Sequence, residues 1–342
     1  MVGSLNRGSP VGPVADQGRA LMRGGHPSDG LLAALLGACG AIVREPLGER
    51  TRHQVQRIRA GRRSWVLKTY RRETDEHFAH RFRREERVLT LLAASAPGLA
   101  PALEAGVIGT DQAFLVMDDL GVGAASLHRV LSGSGCPIEP LAKAVAALAE
   151  WHAFTADLHD LLAAFCQSIV LDRNDRETLA RRHLLALRRI GVELPAAKAR
   201  SFAGRVIDPL LESAPRVLHN SANALNFVVR ADGSVALIDF ETISLGPLEI
   251  DLGELAIHPA VFGRHGLAGT AALYPGDVDP EALARAGLLR AIDSCGALAR
   301  QARQDPDPES AGKLDRRARR YREVAIQIAE EIGVDDCGIP AA

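Results

Sequence analysis

Residues Val217–Ala256 read VLHNSANALNFVVRADGSVALIDFETISLGPLEIDLGELA, and their pattern decides how the rest of the chain is read. Two short apolar runs, Phe227–Val229 and Val235–Ile238, flank the polar triplet Ala231-Asp232-Gly233, so the spacing predicts a β-hairpin. A polar loop, His219–Asn226, enters the first strand, and Asp239 and Glu241 leave the second. Both polar ends therefore come to the same side of the hairpin.

The spacing of the polar residues carries chemistry. A kinase catalytic loop has the form H-R-D-x-x-x-x-N: its Asp orients the acceptor hydroxyl, its Asn binds metal, and a second metal-binding Asp follows the next strand. His219, Ser221 and Asn226 stand in that register, and Asp239 follows Asn226 through the hairpin. The position where the Asp belongs holds Ser221.

The segment resembles the aminoglycoside phosphotransferase and choline kinase branch of the protein-kinase-like fold. Members of that branch carry an H-G-D-x-x-x-x-N loop, an I-D-[FW]-E strand end and a G-P-x-x-x-D-L-A run. The counterparts here are His219-Asn220-Ser221, Ile238-Asp239-Phe240-Glu241 and Gly246-Pro247-Leu248-Glu249-Ile250-Asp251-Leu252. The sequence departs from the pattern at Ser221 and at Asn220, which takes the place of the Gly. Asp251, at a loop-to-helix junction, is expected to cap that helix and brace the loop.

The resemblance implies a bilobal α+β fold, with a small antiparallel-sheet N-lobe and a mostly helical C-lobe, and it implies ATP and Mg²⁺ as cofactors. The expected divisions are a mobile segment over 1–28, the N-lobe over 29–120, the C-lobe with the catalytic hairpin over 121–335, and a tail over 336–342. In the N-lobe, alternation predicts strands Gln54–Arg59 and Ser64–Tyr70 around Ala60-Gly61-Arg62. The second strand carries Lys68. In kinases a Lys on this strand reaches the nucleotide phosphates and pairs with a Glu on the following helix.

That helix is predicted over His77–Leu92. Its Arg84-Glu85-Glu86-Arg87-Val88-Leu89 matches the family's R-E-x-x-V-L, so Glu85 is the expected partner. A Lys on a strand and two Glu in an Arg-rich helix also describe a solvated face; their order ahead of the later loop gives them chemistry. The loop from Gly48 to His53 should cover the phosphates through backbone N–H groups, with Thr51 or Arg52 in support. The strand Ala113–Leu120, AFLVMDDL, is the implied hinge, where backbone groups at Met117 and Asp118 would meet the adenine edge.

Ser221 cannot take a proton as a carboxylate does, yet it can hydrogen-bond an acceptor hydroxyl. General-base help is worth about 10² to 10⁴ in rate. Three readings follow. The chain is a slow or atypical phosphotransferase acting on a hydroxyl of a small molecule or peptide, in which Lys68 and Glu85 hold phosphates, Asn226 and Asp239 hold Mg²⁺, and Glu241 or the substrate supplies the missing function. It is a pseudokinase that binds nucleotide or a protein partner. Or it is a non-kinase α/β protein with His219, Ser221 and Asp239 as a nucleophile set, the weakest of the three because Ser221 has no G-x-S-x-G elbow.

Composition narrows the classes further. The 342 residues are 47% hydrophobic, enough for a sizeable core, and only 4% aromatic, which is poor material for stacking nucleic-acid bases. With 41 basic and 42 acidic residues the net charge is −1, so nothing pulls the whole chain toward nucleic acid or an anionic membrane. The cysteines, Cys39, Cys136, Cys166, Cys295 and Cys337, form no C-x-x-C pair, which fits reduced thiols in a cytoplasmic protein. The apolar run Leu31–Val43 falls short of the roughly 18 residues of a membrane helix and is read as a buried helix capped by Ser28 or Asp29.

Beyond the hinge the period turns helical. Helices are predicted over Pro140–Leu162, where His152 is a structural residue, over Arg176–Ile190 and over Ala196–Leu211. Another runs from Asp279-Pro280-Glu281 to Arg300, and after a loop over Gln304–Ser310 a last one covers Lys313–Ile332. The basic run Lys313–Arg320 is either a phosphate or acidic-peptide patch or, more plainly, a solvated helix face.

Overall fold

A computed structural model describes residues 27–38, 40–47, 53–133, 135–157 and 172–334. The tail over 336–342, and the expected mobile segment except Pro27 and Ser28, lie outside them. The described chain forms two compact units: one holds the residues up to Ala94 together with Pro101–Asp119, the other Ser95–Ala100 and the residues from Leu120 on.

The first unit is built on an antiparallel sheet of order β1-β2-β3-β5-β4, comprising β1 (Val43–Pro46), β2 (Gln54–Ala60), β3 (Arg63–Arg71), β4 (Leu103–Ile108) and β5 (Gln112–Asp118). Helices α1 (Asp29–Leu36) and α2 (Phe78–Ser95) accompany it. Side chains of a strand alternate between faces. On β3, Trp65 and Leu67 join Leu31, Leu32 and Leu36 of α1 and Phe114 and Val116 of β5 in one apolar cluster. Lys68 and Tyr70 have the other parity, and the Tyr70 ring meets Phe82 of α2 edge-on at 5.8 Å.

Two expectations change here. The run Leu31–Val43 is not one helix. Gly37, at φ +57°, takes the left-handed conformation that ends α1, and Ala38 N–H closes the end on the Ala33 carbonyl at 2.9 Å. Val43–Pro46 then pairs along one side of β2 as an edge strand, where a proline costs no ladder hydrogen bond. The strand β4 carried no clear alternation and was not anticipated.

The second unit is mostly helical: α3 (Leu127–Gly133), α4 (Ile138–Asp157), α5 (Arg176–Arg189), α6 (Ala196–Phe202), the short α7 (Asp208–Leu210), α8 (Glu249–Ala256), α9 (Pro259–Ala271), α10 (Pro280–Gln304) and α11 (Pro308–Glu331). A π turn, Ala203–Ile207, separates α6 from α7, so Ala196–Leu211 is not one regular helix. The last helix begins at Pro308 rather than Lys313, because Asp307 accepts from the N–H groups of Glu309 and Ser310. Gly296 of α10 lies so close to α5 that a Cβ there would sit 2.7 Å from the Ala186 carbonyl oxygen.

Small sheets carry the signature segment. β9 (Phe227–Val229) and β10 (Val235–Leu237) form the expected hairpin, with β6 (Ala125–Ser126) alongside β9. β8 (Arg216–Leu218) and β7 (Asp172–Arg173) flank β11 (Ser244–Gly246). No described helix is long and apolar enough to cross a membrane.

Candidate functional site

In the first unit Lys68 Nζ lies 2.6 Å from Glu85 Oε2, and both side chains are almost shut from water, at 7% and 2% exposure. Glu85 reaches it because Phe78, Phe82, Val88, Leu89 and Leu92 of α2 are buried at helical spacing and Glu85 falls on the same stripe. Glu86, one residue on, is turned away and packs against Gly106. Tyr70, two residues beyond Lys68 and so on its face of the strand, donates its hydroxyl to the same Glu85 oxygen. Tyr70 was not anticipated, although strand parity alone places it there. Met117 and Asp118 end β5, where Asp118 N–H donates to the Ala102 carbonyl at 2.9 Å. Gly48 and Thr51 lie outside the described residues.

In the second unit the hairpin closes as its sequence demands. Gly233 supplies φ +79°, Arg230 N–H donates to Ser234, and Asp232 accepts from the Ser234 backbone and hydroxyl. Ile238 N–H donates to the Asn226 carbonyl at 3.0 Å, so Asn226 and Asp239 leave the same end of the hairpin. Asp239 sits at φ +70°, ψ +58°, and Asn220 at φ +58°. Among the described residues Cys136 is the other non-glycine with positive φ. Backbone held in this region outside glycine marks places where surrounding contacts override local preference.

The Asn220 conformation explains one departure from the family pattern. A left-handed residue is needed between His219 and Ser221, and Asn is among the side chains that tolerate it besides Gly. Its side chain also adds contacts that Gly cannot make. Oδ1 accepts from Arg290 at 2.6 Å and from Asn174 at 3.4 Å, and Nδ2 donates to the Thr242 carbonyl at 3.2 Å.

Beneath the loop lies Asp251, completely buried. It does not cap α8, whose first residue it follows by two; its oxygens instead accept the backbone N–H groups of His219 and Asn220, each at 2.7 Å, and His152 Nε2 at 3.1 Å. Burial works against its charge, but the His152 hydrogen bond, with the Arg290 guanidinium nearby, outweighs it and holds the carboxyl below its ordinary range. Arg290, itself buried, is 3.5 Å from Glu254. Neither His152 nor Arg290 was read as part of this layer, since His152 meets Asp251, and Arg290 the loop, across a long stretch of chain.

His219 is fully buried and donates Nε2–H to the Ile238 carbonyl at 2.9 Å, tying the loop to the end of the second hairpin strand. Burial is the main cause that lowers its pKa, so it is a neutral strut. Its Nδ1 has no hydrogen-bond partner among the described residues.

Ser221 Oγ accepts from Asn223 Nδ2 at 3.2 Å and from Asn226 Nδ2 at 3.1 Å. Two donors occupy its two lone pairs, which leaves its own proton to give and no basicity to offer. The same contact orients Asn226. Its Nδ2 is turned into the loop, onto Ser221 Oγ and the Ser221 carbonyl, and its Oδ1 has no hydrogen bond among the described residues. Glu241 lies in the 3₁₀ turn Phe240–Thr242 that follows Asp239 and is buried.

Solved structures share this fold. Choline kinase LicA from Streptococcus pneumoniae is 16% identical, with a TM-score of 0.54 over 85% of this chain and 95% of that one. A choline/ethanolamine kinase family protein from Mesorhizobium loti is 18% identical, with a TM-score of 0.58 over 91% and 99%. Aminoglycoside 2'-phosphotransferase-IIIa, solved with GDP, is 16% identical, with a TM-score of 0.58 over 84% and 96%. LicA has also been solved with AMP. No curated protein matches the chain. These likenesses are of fold, the protein-kinase-like α+β arrangement of an antiparallel sheet followed by helices.

Sequence kinship is the stronger link, because one family pattern runs through residues 43–289 and takes in both the Lys68 strand and the Ser221 loop. The chain belongs to the phosphotransferase enzyme family.

Proposed function

We propose that the chain is an ATP- and Mg²⁺-dependent phosphotransferase that acts slowly on a hydroxyl of a small molecule or peptide. The observation that carries this reading is the buried Lys68–Glu85 pair, an ammonium fixed on a central strand by a carboxylate on a neighbouring helix. In this reading Lys68, positioned by Glu85, contacts the nucleotide phosphates, and the β5 backbone at Met117 and Asp118 meets the base. Asn226 Oδ1 and the Asp239 carboxylate hold Mg²⁺. Both are hard oxygen donors of the kind Mg²⁺ takes, and the Ser221 contact that turns the Asn226 amide leaves its oxygen for such a ligand. When bound, the metal would neutralise negative charge on the nucleotide's phosphates.

The chain's own groups then orient more than they activate. Ser221 can donate a hydrogen bond to an acceptor oxygen, while His219 and Asp251 hold the loop in place. Positioning and charge stabilisation supply most of the catalysis of phosphoryl transfer, so losing a base slows the reaction without abolishing it. A second reading, a nucleotide- or partner-binding pseudokinase, is favoured by one observation: the Ser221 hydroxyl oxygen is already occupied by two amide donors.

Thermal unfolding with and without millimolar MgATP, combined with ADP-release assays, separates the readings. MgATP should raise the Tm of the natural protein and not that of Asp239→Ala. Ser221→Asp should increase turnover by roughly 10² to 10⁴ if the site is otherwise complete. No nucleotide-dependent shift in the natural protein sinks the phosphotransferase reading, and a Ser221→Asp variant that binds MgATP without turnover favours the pseudokinase.

A further inference from the structure

A cavity of about 740 Å³ opens in the second unit between α3, the first turns of α9, and α11. Its charged lining is lopsided: the guanidinium groups of Arg264, Arg317 and Arg320 face a single carboxylate, Glu323. None of the three arginines makes a hydrogen bond or ion pair among the described residues. Two basic neighbours on α11 behave otherwise, while Arg316, exposed and outside the cavity lining, has no ion-pair partner among the described residues either. Lys313 pairs with Glu309 at 2.6 Å and Arg319 with Asp315 at 2.7 Å.

Helical spacing explains the division. Arg317, Arg320, Tyr321 and Val324 recur at three and four residues and share the face that lines the cavity, while Lys313 and Arg319 pair with acids along their own helix. The basic run of α11 therefore holds a solvated face and, at Arg317 and Arg320, cations without an ion-pair partner among the described residues that line the cavity.

A histidine pair forms another part of the wall. His128 Nδ1 and His258 Nε2 are 2.8 Å apart and share one hydrogen bond. Burial, with the charge of Arg317, keeps both rings neutral, His258 with its pKa pushed down to about 4, so the three arginines, against the one Glu323 carboxylate, set the sign of the field. This wall hangs on the signature loop. His128 N–H donates to the carbonyl of Ala224 at 2.8 Å, and Ala224 lies between Ser221 and Asn226.

We propose that this cavity binds a small organic anion through Arg264, Arg317 and Arg320, and that this anion is the hydroxyl-bearing acceptor, a hydroxy acid or a phosphate monoester of a polyol. The assignment of the anion as acceptor rests on the phosphotransfer reading; the anion site itself does not. Guanidinium groups engage carboxylate and phosphate by paired charge-assisted hydrogen bonds, whereas a cationic hydroxyl compound would meet net repulsion here.

Titration calorimetry with gluconate as the carboxylate probe, glycerol 3-phosphate as the phosphate probe and choline as the cationic probe tests this on the full chain, beside Arg317→Gln and the double variant Arg317→Gln/Arg320→Gln. One of the two anions should bind, with affinity falling about 10-fold or more in Arg317→Gln and further in the double variant, and choline should not bind. The MgATP-dependent rise in Tm should persist in both variants, which shows that they fold. Anion binding unchanged by the double substitution, absence of binding by both anions at millimolar concentration, or preference for choline overturns the proposal. Arginine-dependent anion binding in a protein that shows no MgATP shift leaves the cavity as an anion site and overturns its assignment as the acceptor site.

Discussion

Glu85 and Asp251 are both carboxylates with almost no exposure to water, at 1% and 0%, and what holds each of them differs. Glu85 is met by side chains, the Lys68 ammonium and the Tyr70 hydroxyl, both from one strand. Asp251 is met by backbone, the N–H groups of His219 and Asn220, with His152 behind. A carboxylate held by long side chains can exchange partners when another anion arrives. One that terminates backbone N–H groups cannot move without moving the loop. The signature segment thus holds its charge beneath the loop, and Ser221 presents a neutral hydroxyl.

Substitution should make the contrast measurable. Asp251→Ala leaves two buried N–H groups and His152 without an acceptor, and we expect a loss of about 3–5 kcal/mol in denaturant unfolding. A loss below about 1 kcal/mol would mean that the loop is held elsewhere.

Glu85→Gln keeps the size of the side chain and an oxygen for Tyr70, and forfeits one charge-assisted bond. The expected cost is about 1.5–3 kcal/mol in the same measurement, with the MgATP-dependent Tm shift reduced. Equal losses at the two positions would erase the distinction between them.

The smallest effect concerns pH. His183 is buried, stacked on Phe202 at 3.9 Å, and burial pushes its pKa from 6.5 down to about 3. The unfolded chain therefore binds the extra proton first, so stability is complete above pH 6.5 and falls as pH drops from 6.5 toward 3. Asp251 behaves differently: its carboxyl is held below the usual 3.8, so its contribution is present above that value and is lost only below it. His183→Phe should recover roughly 2 kcal/mol of the loss between pH 6.5 and 5, with the remainder due to groups such as His258. Urea midpoints across that range check it; an unchanged slope would show that His183 is protonated in the fold.

Several of these features can be read in the residues. Strand alternation places Lys68 and Tyr70 on one face, and the Phe78, Phe82, Leu89, Leu92 stripe chooses Glu85 over Glu86. Asn220 in the Gly position is legible too, because few side chains accept a left-handed backbone. The reading failed where a local signal was overridden or passed over. Gly37 cut the Leu31–Val43 run, and Asp307-Pro308-Glu309 repeated the Asp279-Pro280-Glu281 start without being recognised.

By itself, then, the order of residues determined the hairpin, the family and the two faces of each element, because periodicity and turn chemistry act over a few residues. Only tertiary packing decided that Arg290 meets the loop from 70 residues away and His152 meets Asp251 beneath it from 99, and that two arginines of a basic run line a cavity beside a histidine pair. Such meetings depend on which helices cross where, and no local period encodes that.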